Sequence, residues 1–292
     1  MKKLILTLVA VGTLFTLQAQ DNVDNWMHAA GTLQGFEAGS QYFTFVTDAN
    51  LREQSNTQSK VIAKLPIGTA VQVEAVSTDS FTLRGVTMPW LKVSCQPAGG
   101  AKVSGYVWGG FMALASIQTP DEEYTPNRGV LFLTGVSAFN EAKHEISVQV
   151  RAALNGKELA KSEFSTTGDL SYYPDFELRF EPLKNVKAVL FVNYYYPACG
   201  YASGNNLVFW LEDNQMIRVL ETSSISEAGI FYDSEDAILP SERGGIGDHV
   251  LVIKDQSSFE EKGDDYVRTE QTYRITLYKW TGGKLVKEKE LK

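Results

Sequence analysis

With 292 residues, 43% of them hydrophobic and 21% charged, the chain has the composition of a globular protein, not of a disordered or collagen-like one. Its formal charge of −8 argues against phosphate-backbone binding, which needs clustered Lys and Arg, so nucleic acid is not an expected partner. Two cysteines, Cys95 and Cys199, are too few for a disulfide-dense scaffold or a multi-cysteine zinc site.

Lys2 and Lys3 precede an apolar run from Leu4 to Leu17, and small Ala19 stands just before Gln20-Asp21-Asn22. A basic start, a short apolar core and a small residue at the exit are the pattern of a secretory signal peptide over residues 1–19. The run is shorter than the ~20 apolar residues that span a bilayer, and no later stretch approaches that length. The chain is therefore expected to be exported, to the periplasm or beyond, and not to span the membrane.

The next region reads as strands. Val71-Gln72-Val73-Glu74-Ala75-Val76 alternates apolar and polar residues, as a half-buried strand does. In Trp90–Cys95, Leu91, Val93 and Cys95 share one face while Trp90, Lys92 and Ser94 share the other. Ala49-Asn50-Leu51-Arg52, then Val61–Thr69 with its Leu65-Pro66-Ile67-Gly68-Thr69 turn, follow a recognisable order. Val71-Gln72-Val73, Trp90-Leu91-Lys92-Val93 and Gly105-Tyr106-Val107-Trp108 complete it. On these segments residues 42–115 resemble a bacterial SH3-like (SH3b) domain, with an inserted Ser80–Pro89 and a long Gln96–Ser104 hairpin as departures. Both departures are expected to be surface loops. If Leu91, Val93 and Cys95 fill the small barrel, Trp90 lies at its rim, where Tyr42, Trp90, Tyr106 and Trp108 could form an aromatic groove. The alternative is that these rings cover a core. The resemblance implies binding instead of catalysis: of cell-wall (peptidoglycan) peptide or an envelope protein, or packing on an attached domain.

Residues 116–128, with two prolines and an acidic triplet, read as a linker. Beyond it, residues 129–292 read as a larger antiparallel β-domain, with a sandwich as first choice. Asn155-Gly156, Asp213-Asn214 and Gly282-Gly283 each divide two strand-like runs, as hairpin turns do. The fold class expected is thus all-β: a small SH3-like barrel, then a sandwich-like domain.

The search for chemistry is short. Cys199 and His249 are the components of a cysteine-peptidase dyad, the alternative function of a cell-wall hydrolase with an SH3-like targeting module. The Asp-Cys-Ser-Gly motif that opens a helix in NlpC-type peptidases is absent around Cys199, so no helix dipole would activate the thiol. His28, His144 and His249 form no metal-ligand spacing, and no cofactor motif is present. Tyr194-Tyr195-Tyr196 could form a stacking platform or be divided between core and surface. Cys95 and Cys199 are expected to remain separate thiols. The resulting expectation is a non-catalytic binding or scaffold protein of the cell envelope.

Overall fold

Alternation of apolar and polar residues carries through to the structure as antiparallel sheets. The computed structural model describes residues 35–96, 100–119, 127–167, 173–195, 202–227, 229–263 and 265–291. The expected signal peptide over 1–19 lies outside the described residues, as do His28, Tyr196, Cys199 and residues 120–126 of the expected linker. The described residues belong to one compact unit. Among them there is no α-helix, only the 3-10 turns Gly109–Phe111 and Glu141–Lys143, and no helix long and apolar enough to cross a membrane. The chain is all-β.

The first sheet contains β1 (Gln41–Phe43), β2 (Asp48–Arg52), β3 (Val61–Pro66), β4 (Ala70–Leu83), β5 (Val86–Cys95) and β6 (Val103–Trp108), in the order β1-β4-β5-β6-β2-β3. It curves around a core of its own. Leu51, Leu65, Val71, Leu91, Val93 and Val107 are almost wholly excluded from water there, and Cys95 lies beside them. Leu91, Val93 and Cys95 do fill this interior, on the face that the alternation indicates.

β7 (Ala115–Gln118), β8 (Leu131–Asn140), β9 (Glu145–Leu154) and β10 (Lys157–Thr167) form a second sheet, ordered β10-β9-β8-β7. The segment read as a linker from residue 116 is therefore, over Ser116–Gln118, part of a strand paired with Leu131–Leu133 of β8. A backbone amide inside a paired ladder has its hydrogen bond fixed, which a free linker lacks.

The third sheet has eight strands in sequential order: β11 (Tyr173–Arg179), β12 (Val186–Tyr195), β13 (Ser203–Leu211), β14 (Met216–Glu227), β15 (Phe231–Ile238), β16 (His249–Lys262), β17 (Asp265–Trp280) and β18 (Leu285–Leu291). The three hairpin turns expected from sequence join β9 to β10, β13 to β14 and β17 to β18. Asn155 and Gly156 adopt φ of 50° and 76°, the backbone that a type I′ turn requires. One face of β12 and β13 packs on the second sheet, as in a sandwich: Ala188, Leu190, Val192, Val208 and Trp210 meet Phe132, Val148 and Val150. The other face, with Val189, Phe191 and Phe209, is covered by Val250 and Trp280 from later strands of the same sheet. Trp280 packs edge-on against Phe209, with ring centroids 5.0 Å apart, and its indole N–H donates to the Lys184 carbonyl.

Two contacts join the first sheet to the second. Phe45, Ile67 and Ala113 pack on Leu131, Leu133 and Ala153, and the Arg151 guanidinium lies 4.7 Å over the Phe45 ring. The Ser80–Pro89 insertion makes the other contact. It is the end of the β4–β5 hairpin, not a surface loop: Val86 and Met88 are buried in the same core as Phe132 and Trp210, and Phe81 packs against it. At its tip Gly85 has φ 78°, and a Cβ there would stand 2.1 Å from the Phe139 carbonyl oxygen. The Phe139 amide in turn donates to the Arg84 carbonyl.

Replacing Gly85 by Ala is expected to lower stability by roughly 1–3 kcal/mol, through positive φ and the Phe139 clash. Trp108→Ala, which empties the shared core, is expected to cost about 3–5 kcal/mol. In thermal unfolding of the full chain, both variants should shift one common transition. Separate melting of the small sheet would contradict this shared-core account.

Candidate binding surface

Trp90 and Trp108 face each other directly across β5 and β6 and so share one face. They are 3% and 4% exposed and belong to the core that joins the three sheets. The Trp108 indole N–H donates to the carbonyls of Phe81 and Met88, at 2.9 and 3.1 Å. Phe81 and Phe111 pack edge-on against its ring. Tyr106 is half-buried against the same core. Tyr42 packs elsewhere, edge-on to Phe36, with its hydroxyl donating to the Gly35 carbonyl and accepting from the Glu37 amide. The expected groove of Tyr42, Trp90, Tyr106 and Trp108 is thus corrected: the two indoles are covered by the inserted hairpin and the later sheets and cannot reach a ligand. Alternation had placed Trp90 on the face away from the small core; it could not say what covers that face.

Of the Cys199–His249 dyad only the histidine is described. Cys199 lies outside the described residues. His249 opens β16 and is hydrogen-bonded through Nε2 to Glu288 of β18 at 2.7 Å; Asp248 lies 3.0 Å from Nδ1 without hydrogen-bond geometry. Among the described residues no group of three His, Cys, Asp or Glu side chains could hold a metal ion.

Of the tyrosine run, Tyr194 is buried within the sandwich core and its hydroxyl donates to Glu221, whereas Tyr195 is exposed. The strand's alternation divides them. Burial, with the Glu221 carboxylate next, pushes the Tyr194 hydroxyl up to about 12 from its ordinary 10.0. Cys95 is a free, buried thiol, and burial raises its pKa as well.

A different surface is open. The far ends of β15, β16 and β17 run past the part of the sheet that covers the core. Tyr232 stands opposite Ser257, and Ser257 opposite Gln271; Ser234 stands opposite Asp255, and Asp255 opposite Tyr273. Tyr266 faces Glu261, which alternation along β16 places on the same side as Ser257 and Phe259. Tyr232, Phe259, Tyr266 and Tyr273 therefore lie on one face. Tyr266 and Tyr273 are 59% and 49% exposed, and Ile230, in the adjoining turn, is 58% exposed. The Tyr266 ring covers Gly229, where a Cβ would stand 2.2 Å from its Cε1, so the β14–β15 turn is pinned against β17. Beneath the rings Ser257 is buried, its hydroxyl without a hydrogen-bond partner. Exposed aromatic groups gathered on one face are unusual on a soluble surface and mark interaction sites. Sequence alternation alone could not have found this face: Tyr266 and Tyr273 are separated by an odd interval, which puts them on opposite sides unless the strand carries a bulge. The bulge is at Thr269, the residue skipped between the pairs Ser258–Glu270 and Phe259–Arg268.

Comparison with protein-family models, curated proteins and solved structures returns no match, so the chain is assigned to no family.

Two solution measurements follow from the buried groups. A Tyr194 hydroxyl held at about 12 in the fold and near 10.0 when unfolded contributes stability that is complete below pH 10 and is lost as pH rises toward 12. Tyr194→Phe should flatten that loss, which amounts to about 3 kcal/mol; an unchanged alkaline unfolding curve would refute it. Cys95, with its thiolate disfavoured, should resist alkylation at pH 8 in the native protein and react once denatured. Rapid native labelling would place it at the surface instead.

Proposed function

We propose that the chain is an exported, non-catalytic binding protein of the cell envelope, in which the SH3-like region is a packing module and the far end of the eight-stranded sheet receives the partner. The observation that carries this reading is the contrast between the two sets of rings: Trp90 and Trp108 are buried, whereas Tyr266 and Tyr273 stand open on one face. Aromatic side chains expose an apolar ring and a polar edge at small entropic cost, and Tyr is enriched where partners dock. The curved six-strand sheet around Leu51, Leu91 and Val107 supports the SH3-like reading. The basic, apolar and small-residue pattern of residues 1–19 supports export. The alternative of a Cys199–His249 dyad has less support: the helix-opening motif of that family is absent around Cys199, and His249 lies on a strand with its Nε2 against Glu288.

The double variant Tyr266→Ala/Tyr273→Ala tests this reading. Tyr273→Ala alone should leave the melting temperature unchanged and Tyr266→Ala, whose ring also packs on Gly229, should lower it slightly, while co-sedimentation of the double variant with a purified envelope fraction falls at least several-fold. Envelope binding equal to that of the unaltered protein would overturn the assignment of the surface.

A further inference from the structure

The charge around the tyrosine face identifies the chemistry of what it receives. Residues 221–236 and 253–274, which build the extension, carry eleven Asp and Glu against four Lys and Arg. Nearly all of the chain's net charge of −8 is therefore concentrated in this one projecting element. Its cations are partly consumed internally. Lys254 pairs with Asp233 and Glu235, on the side of the sheet away from the tyrosines, and Arg274 pairs with Glu290. On the tyrosine side, Asp255 and Glu261 flank the rings, and Arg268 lies over Phe259.

Tyrosine faces beside carboxylates suit one kind of ligand group. The ring face carries the negative end of the aromatic quadrupole and attracts an ammonium or guanidinium, which a neighbouring carboxylate can then pair. An acidic polymer would be repelled by the same array. Along β17, Tyr266 and Tyr273 are separated by roughly 20 Å at ~3.3 Å per residue, so an extended segment of about six residues would touch both. The surface is a sheet face and not an enclosed cavity, which also favours a chain over a small molecule. Resting on the reading that this surface is the binding site, we infer that the tyrosine face of β15–β17 docks an extended, Lys- and Arg-bearing polypeptide segment.

The test uses the full chain and a fluorescein-labelled Lys-Ser repeat peptide, followed by anisotropy. A Glu-Ser repeat and an N-acetylglucosamine oligomer serve as comparison probes. Binding of the Lys-Ser peptide is expected, weakening at least tenfold between low and high salt as exposed charges are screened. Tyr266→Ala and Tyr273→Ala leave the charge unchanged and should each weaken it two- to five-fold, the amount an exposed cation–π contact supplies. Asp255→Asn should weaken it as well. No binding, or equal binding by the tyrosine variants, would overturn the inference, the latter because general charge attraction would then suffice. Binding of the neutral oligomer instead, lost in the same variants, would overturn the cationic partner while leaving the surface assignment standing. Envelope binding that survives both tyrosine substitutions would remove the surface assignment itself.

Discussion

The indole N–H of Trp108 is shared between the carbonyls of Phe81 and Met88, one from each strand of the β4–β5 hairpin. This shared hydrogen bond stands where the first sheet meets the other two, and much of the architecture follows from it. A buried indole donor without an acceptor would be costly, and the hairpin supplies two. In doing so the hairpin brings Val86 and Met88 onto the core that also holds Phe132 and Trp210. The small sheet thus buries its inner face and part of its outer one. Its inner face closes around Leu91 and Val93, and the Trp90–Trp108 end of its outer face is covered by the rest of the chain, while Lys92 on that face stays exposed. An aromatic strip covered in this way contributes stability and is unavailable for recognition.

The same constraint explains what could be read from residues. Alternation in Trp90–Cys95 separated the two faces correctly, and Asn155-Gly156 set its turn, because each depends on a local rule. The all-β class followed from many such local signals. What lay over Trp90 was beyond any local rule, since the covering residues come from strands far along the chain. The Ser80–Pro89 insertion misled for a related reason: a departure from a family pattern looks like a loop until its partner is known. Its turn at Arg84-Gly85 has positive φ at both positions, 52° and 78°, and arginine is not a residue that announces this. The tyrosine face was hidden by the bulge at Thr269, which changes the side on which residues beyond it point.

The extension has a physical problem of its own. β18 pairs with β17 only from Ile275 onward, so the outer edge of Asp265–Arg274 meets no strand among the described residues. Long open edges invite indiscriminate pairing with other chains. Here the edge is interrupted by the Thr269 bulge and flanked by Arg268 and Glu270, both devices that discourage edge-to-edge association. The face is treated differently: its rings are left open, with carboxylates near them. An edge guarded against pairing beside an exposed aromatic face is consistent with recognition through side chains rather than through strand addition.

Oxidative footprinting of the free protein, with hydroxyl radicals and residue-level mass spectrometry, tests the division between buried and open rings most directly. Our account predicts rapid modification of Tyr266 and Tyr273 and strong protection of Trp90 and Trp108, although indole is intrinsically the more reactive ring. Modification of Trp90 and Trp108 at rates matching the two tyrosines would contradict it, returning the aromatic strip of the small sheet to the surface.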